Sequence, residues 1–72
     1  MIRVIGLKKN VLELIPDNVL DYVNEDSGII EFSEFHYIHT FPDHVEIDIE
    51  DAEGNKMVIT FLYADFYRIE LE

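Results

Sequence analysis

The chain has no cysteine, so neither a disulfide nor a thiolate-bound metal can staple it. That absence suits a reducing compartment. No run of residues reaches the apolar length of a membrane span. The apolar N-terminal stretch, Met1 to Leu7, gives way to Lys8 and Lys9 and is too short for the core of a signal peptide. The expectation is a soluble cytoplasmic protein, with residues 1–72 forming one small acidic β-rich domain. With only three glycines there is no glycine-rich phosphate loop and no dinucleotide fingerprint. Low-complexity tracts, internal repeats and Pro/Gly-rich linkers are also missing.

Basic residues are the scarcest resource. Five Lys and Arg face sixteen Asp and Glu, a net charge of −11, and no Lys or Arg occurs between Lys9 and Lys56. Such a field repels nucleic acid and acidic membranes and attracts basic partners. It also serves solubility without any partner. The hydrophobic content of 49% is that of a folded domain and too high for a disordered one.

What is present reads as mainly β with a short helix, an α+β chain. Residues 2–7 form a first strand, followed by a polar break at Lys8-Lys9-Asn10. Val11 to Ile15 fits either a returning strand or the start of a helix that Pro16 would bend. Asp17 to Asn24 fits a short helix with Val19, Leu20 and Val23 on one side and Asp17 or Asn18 as its cap. Asn24 to Gly28 is a turn cluster.

The second half carries the clearer signal. Val45, Ile47 and Ile49 alternate with Glu46, Asp48 and Glu50, the period of a half-buried strand. Asp51-Ala52-Glu53-Gly54 has the composition of a type I turn with glycine at the left-handed position. Pairing Glu50 with Lys56 across it sets Ile49 against Met57, Ile47 against Ile59 and Val45 against Phe61, so charge and hydrophobicity select one register. Extending that register predicts an antiparallel four-strand meander over residues 34–72. Phe35, Tyr37, His39, Tyr67, Ile69 and Leu71 then join the apolar face, and the N-terminal strand and short helix cover it. The opposite face is wet.

Chemistry-bearing residues are few and do not converge. His36 and His44 share the outer face with Asp48 and Glu46, a legitimate donor set for zinc or iron. The predicted register separates the two histidines along the sheet, and a cross-strand pair of His36 with Asp48 is the simpler account. Asp48 to Gly54 fails as a calcium loop, because the first ligand position falls on Ile49. Ser27 and Ser33 have no histidine placed near them, and the paired carboxylates lie on an open face rather than in a cleft. No catalytic residue, metal site or cofactor is assigned. The expected function is a non-enzymatic binding protein, an inhibitor or modulator that docks its carboxylate-rich face on a basic surface of a partner, such as a nucleic-acid-binding protein, without contacting nucleic acid or membrane itself. Glu46, Asp48, Glu50 and Glu70 would steer the encounter, and Leu62 and Phe66 would form an apolar anchor. The alternative is a structural β-domain that self-associates through an unpaired strand, Phe66 to Leu71 or Ile2 to Leu7, as a homodimer without a basic partner.

Overall fold

A computed structural model describes residues 1–32, 34–51 and 53–72. Among them are seven strands: β1 (Ile2–Ile5), β2 (Tyr22–Asn24), β3 (Ile29–Phe32), β4 (Phe35–Thr40), β5 (His44–Glu50), β6 (Lys56–Leu62) and β7 (Arg68–Leu71). One turn of helix, α1 (Lys9–Leu12), follows β1, and 3-10 turns occupy Asp17–Val19 and Tyr63–Asp65. No helix of the described residues is long and apolar enough to cross a membrane.

The strands form two antiparallel sheets, one ordered β2-β3-β1-β7 and the other β4-β5-β6. Ile2, Val4, Ile30 and Phe32 from the first sheet and Val45, Ile47, Ile49 and Phe61 from the second belong to one buried cluster, which Leu7, Leu12, Ile15 and Val19 extend. The chain changes sheets between Phe32 and Phe35, and the Glu50 amide donates to the Glu34 carbonyl at 3.4 Å near that corner. Strands that bend from one sheet into the next are the usual corners of small β-structures.

The β5–β6 register agrees with the sequence expectation at every pair, from Glu50 opposite Lys56 to Val45 opposite Phe61. Three other expectations need correction. The meander over residues 34–72 has three strands, because β7 leaves it and pairs with β1, Ile2 opposite Leu71 and Val4 opposite Ile69. The physical reason lies in β1. Ile2 and Val4 are fully buried, and a buried strand needs backbone partners on both edges. β3 supplies one edge and β7 the other, so the cover over the apolar face is a second sheet rather than a lone strand and helix. The 3-10 turn at Tyr63–Asp65 redirects the chain, and the Lys8 amide fixes it by donating to the Asp65 carbonyl at 2.9 Å.

The helix expected over Asp17–Asn24 is a 3-10 turn of three residues, after which Leu20 is extended and Tyr22–Asn24 pair with β3. Val23 opposite Ile30 continues a sheet, which outweighs the weak helical spacing of Val19, Leu20 and Val23. Finally, β4 carries a bulge between Phe35 and Tyr37. Phe35 faces Ile49 as expected, but beyond the bulge Ile38, not Tyr37, lies opposite Ile47. One extra residue reverses the facing of all that follows, so Tyr37 and His39 are exposed; Tyr67, just before β7, and Leu71, at its end, are exposed as well. The turn at Asp51 to Gly54 includes Ala52, and Ala52, like Ser33, lies outside the described residues; Gly54 takes a φ of +85°.

Gly28 and Gly54 both have positive φ, yet they tolerate a side chain differently. A Cβ on Gly28 would collide with the Leu7 carbonyl oxygen, where the Leu7 amide donates to the Gly28 carbonyl at 2.9 Å. A Cβ on Gly54 would meet only the flexible Glu50 Oε1, at 3.3 Å. Gly54→Ala is expected to cost about 1–2 kcal/mol, the left-handed penalty alone. Gly28→Ala adds a backbone collision and is expected to cost roughly 3 kcal/mol or more, a large share of a stability of order 4–11 kcal/mol for this length. Urea denaturation of the two variants checks the difference, and equal losses would contradict it.

Candidate functional site

The burial of β5 dictates the site. With Val45, Ile47 and Ile49 inside, His44, Glu46, Asp48 and Glu50 must point outward, and all four are half-buried. β6 presents Lys56, Val58, Thr60 and Leu62 beside them, and β4 adds His36, Tyr37 and His39 on the other flank. Lys56 is the one Lys or Arg on this outer face among the described residues.

All three histidines of the chain gather here, each beside a different carboxylate. His36 Nε2 lies 2.7 Å from Glu50 Oε2, His44 Nδ1 lies 2.6 Å from Asp43 Oδ1, and His39 Nε2 approaches Asp48 Oδ2 at 3.5 Å. Glu50, although opposite Lys56 in register, bonds to His36 across the other strand. The phenyl ring of Phe41 stacks on His44, with centroids 4.4 Å apart and planes 9° from parallel. A neutral histidine donates one N–H and accepts at its other nitrogen, so each can bond a carboxylate without cancelling its charge. The pairs are separate, and among the described residues no three His, Asp or Glu converge as metal donors would. A shallow open hollow lies between β4, β5 and β6, lined by His36, Tyr37, Asp48, Lys56 and Val58.

Large apolar side chains interrupt the acids. Tyr37 is 65% exposed, Val58 57% and Leu62 49%, with Phe41 at the turn end of the face. Of the residues singled out from sequence, Glu46, Asp48, Glu50 and Leu62 share this face. Glu70 does not. It sits on β7 in the other sheet, opposite Arg3 and 3.7 Å from Arg68. Phe66 is half-buried against the core, edge-on to Phe61 with centroids 6.1 Å apart, so it is no exposed anchor. Both displacements follow from β7 joining β1. Tyr37 and His39, expected inside, are the additions. Their signal is the odd spacing from Phe35 to Ile38, because strict alternation cannot bury both and a bulge can.

The opposite sheet holds its charges in pairs. Arg3 Nε donates to Glu31 Oε1 at 2.7 Å, and this carboxylate holds the Arg3 pKa above its ordinary value. The two sheets thus differ electrostatically: arginines face the acids of one, histidines and a single lysine those of the other.

The hairpin that presents the acidic strand is fixed by Asp51. Its Oδ1 accepts from the amides of Glu53 and Asn55, both at 2.9 Å, and Oδ2 accepts from Asn55 Nδ2 at 3.1 Å. The Asn55 amide is the main cause of a lowered Asp51 pKa, and the bond from His44 similarly lowers that of Asp43. Comparison with family models, curated proteins and solved structures finds no match to this chain.

The lowered values fix the sign of an acid effect. A carboxylate with a folded pKa below its unfolded one contributes stability that is complete above the unfolded value of about 4 and is lost as pH falls through the folded value. Asp51→Ala is expected to lower Tm at pH 7 and to make the loss of Tm below about pH 4 shallower than in the wild type. Thermal melts followed by circular dichroism across that range test this. An unchanged acid limb would mean that Asp51 does not hold the turn.

Proposed function

We propose that this chain is a non-enzymatic binding protein that docks the outer face of β4-β5-β6 on a basic surface of another protein, acting as an inhibitor or modulator of it. One observation carries the reading: Glu46, Asp48 and Glu50 project from a single strand among exposed Tyr37, Val58 and Leu62, with one lysine to oppose them. A face used only for solubility has no need of large apolar groups between its charges. Surface charge would accelerate encounter, and the apolar groups, desolvated on contact, would slow dissociation. A partner that grips nucleic acid fits the sign of the face, because carboxylates would occupy the positions of phosphates.

The test uses placement rather than total charge. Glu46→Lys with Asp48→Lys changes the face. Glu25→Lys with Asp26→Lys makes the same charge change in the turn before β3. Affinity capture at low salt is expected to recover a basic protein with the wild type and with the turn variant, to lose it with the face variant, and to release it as salt rises. Association by the face variant is expected to slow tenfold or more, within the usual range of electrostatic steering. Tyr37→Ala or Leu62→Ala is expected mainly to speed dissociation. Nucleic acid is expected to compete where the captured protein binds it. Equal loss with both double variants, or no basic partner at low salt, would overturn the reading.

A further inference from the structure

We propose that β6 is a self-association edge, at which two copies pair β6 with β6 antiparallel across a twofold axis and join their three-stranded sheets into one. This inference does not rest on the docking face and fails separately from it. Hydrogen-bond phase comes first. The Asp51 amide donates to the Asn55 carbonyl at 2.9 Å, and the Tyr63 amide to the Asp43 carbonyl at 3.3 Å. In an antiparallel ladder bonded pairs alternate with non-bonded ones. The β5–β6 bonds therefore fall on Val45/Phe61, Ile47/Ile59 and Ile49/Met57, within the register of the two strands. The N–H and C=O groups of Lys56, Val58, Thr60 and Leu62 point away from β5, and among the described residues no other segment's backbone bonds to them.

The other edges are blunted. β2 has three residues and lies between Asp21 and Glu25. β4 is broken by its bulge. β7 has four residues, one of them Glu70, and runs into Glu72. β6 runs seven residues without bulge, proline or carboxylate, and it carries a lysine. Short strands, bulges and edge charges are the devices that prevent edge pairing, and β6 has only Lys56.

Charge makes a second copy the occupant. Using every outward group of β6 places Ile59 on the axis, with Lys56 opposite Leu62 and Val58 opposite Thr60 of the second copy. The lysines then lie at opposite ends of the seam, where each aliphatic stem can cover the half-exposed Leu62. The acidic β5 strands stand three strand spacings apart, about 14 Å, beyond a screening length of about 8 Å at physiological salt. Two chains of net charge −11 can meet at this edge without opposing their carboxylate rows. Alongside the edge runs an apolar groove lined by Val11, Leu14, Ile15, Met57 and Ile59, in which Leu14 is 81% exposed. The half-buried Met57 and Ile59 of the second copy would reach it.

Sedimentation equilibrium of the full chain from micromolar to millimolar concentration, at physiological salt, is expected to show a monomer–dimer equilibrium that stops at the dimer. Thr60→Pro removes one outward N–H, a place where an edge strand accepts proline, and is expected to abolish the dimer while the circular dichroism spectrum stays that of the wild type. Amide exchange of the wild type gives a reading that needs no variant to fold. Protection of Val58 and Thr60 is expected to rise with the dimer fraction. A monomer at every concentration, a folded Thr60→Pro that still dimerises, or concentration-dependent protection at Ile69 or Val23 instead of β6 would overturn the proposal.

Discussion

The pairing of β1 with β7 is the constraint on which the other features depend. It places Ile2 and Val4 in a strand bonded on both edges and brings the ends of the sequence together, with the Met1 ammonium donating to the Glu72 carbonyl at 2.9 Å. Had β7 instead folded back on β6, β1 would have kept one edge unsatisfied beside the core, and unpaired buried backbone groups cost on the order of 1–3 kcal/mol each. The same pairing takes Glu70 and Phe66 away from the β5 acids and, among the described residues, leaves β6 paired with β5 alone. The composition of the acidic face and the open edge beside it are both consequences of how the core is closed.

Legibility in the sequence follows the range of the interaction. The β5–β6 hairpin could be read because Glu50 opposite Lys56 and three apolar pairs agree within a short loop, and each other possible register breaks one of those cues. Sequence alone places Arg68 to Leu71 beside β6, whereas it pairs with β1, because its alternation suits either neighbour equally. Loop entropy favours the nearer partner only weakly. The deciding quantity, full burial of Ile2 and Val4, is a property of the closed core and not of any local window. β4 differs for another reason. The odd step from Phe35 to Ile38 stands in the sequence, and strict alternation has no place for it, whereas a bulge does. The helix expected before Asn24 failed because three apolar residues in eight match one turn of helix about as well as a 3-10 turn entering a strand.

The distribution of bases explains why one sheet is a better candidate surface than the other. Arg3 stands between Glu31 and Glu70 in register, and Arg68 lies near Glu70, so the outer face of β2-β3-β1-β7 satisfies its own charges. On β4-β5-β6 that task falls to histidines, which orient carboxylates by hydrogen bonds and leave them anionic while the rings are neutral. Partial burial of Glu46, Asp48 and Glu50 limits how fully water screens them. Oriented, partly desolvated and uncancelled charge is the condition under which a surface exerts a directed field rather than merely keeping a protein soluble.

The face and the edge meet at β6, whose outward side chains belong to both. Lys56, Val58, Thr60 and Leu62 stand on the face that carries the acids, while their backbone groups would form the proposed seam. Joining two copies at this edge would leave the β5 rows uncovered and turn two small faces into one surface with acid strips on either side of an apolar centre built from Val58, Leu62 and their counterparts. Each copy alone offers half of that centre, rimmed by charge on one flank only. A basic partner large enough to span both strips would contact more of the joined surface than of either half, and would therefore favour the dimer by mass action. By the same linkage, dimerisation would raise affinity for that partner and not for a smaller one that covers a single strip.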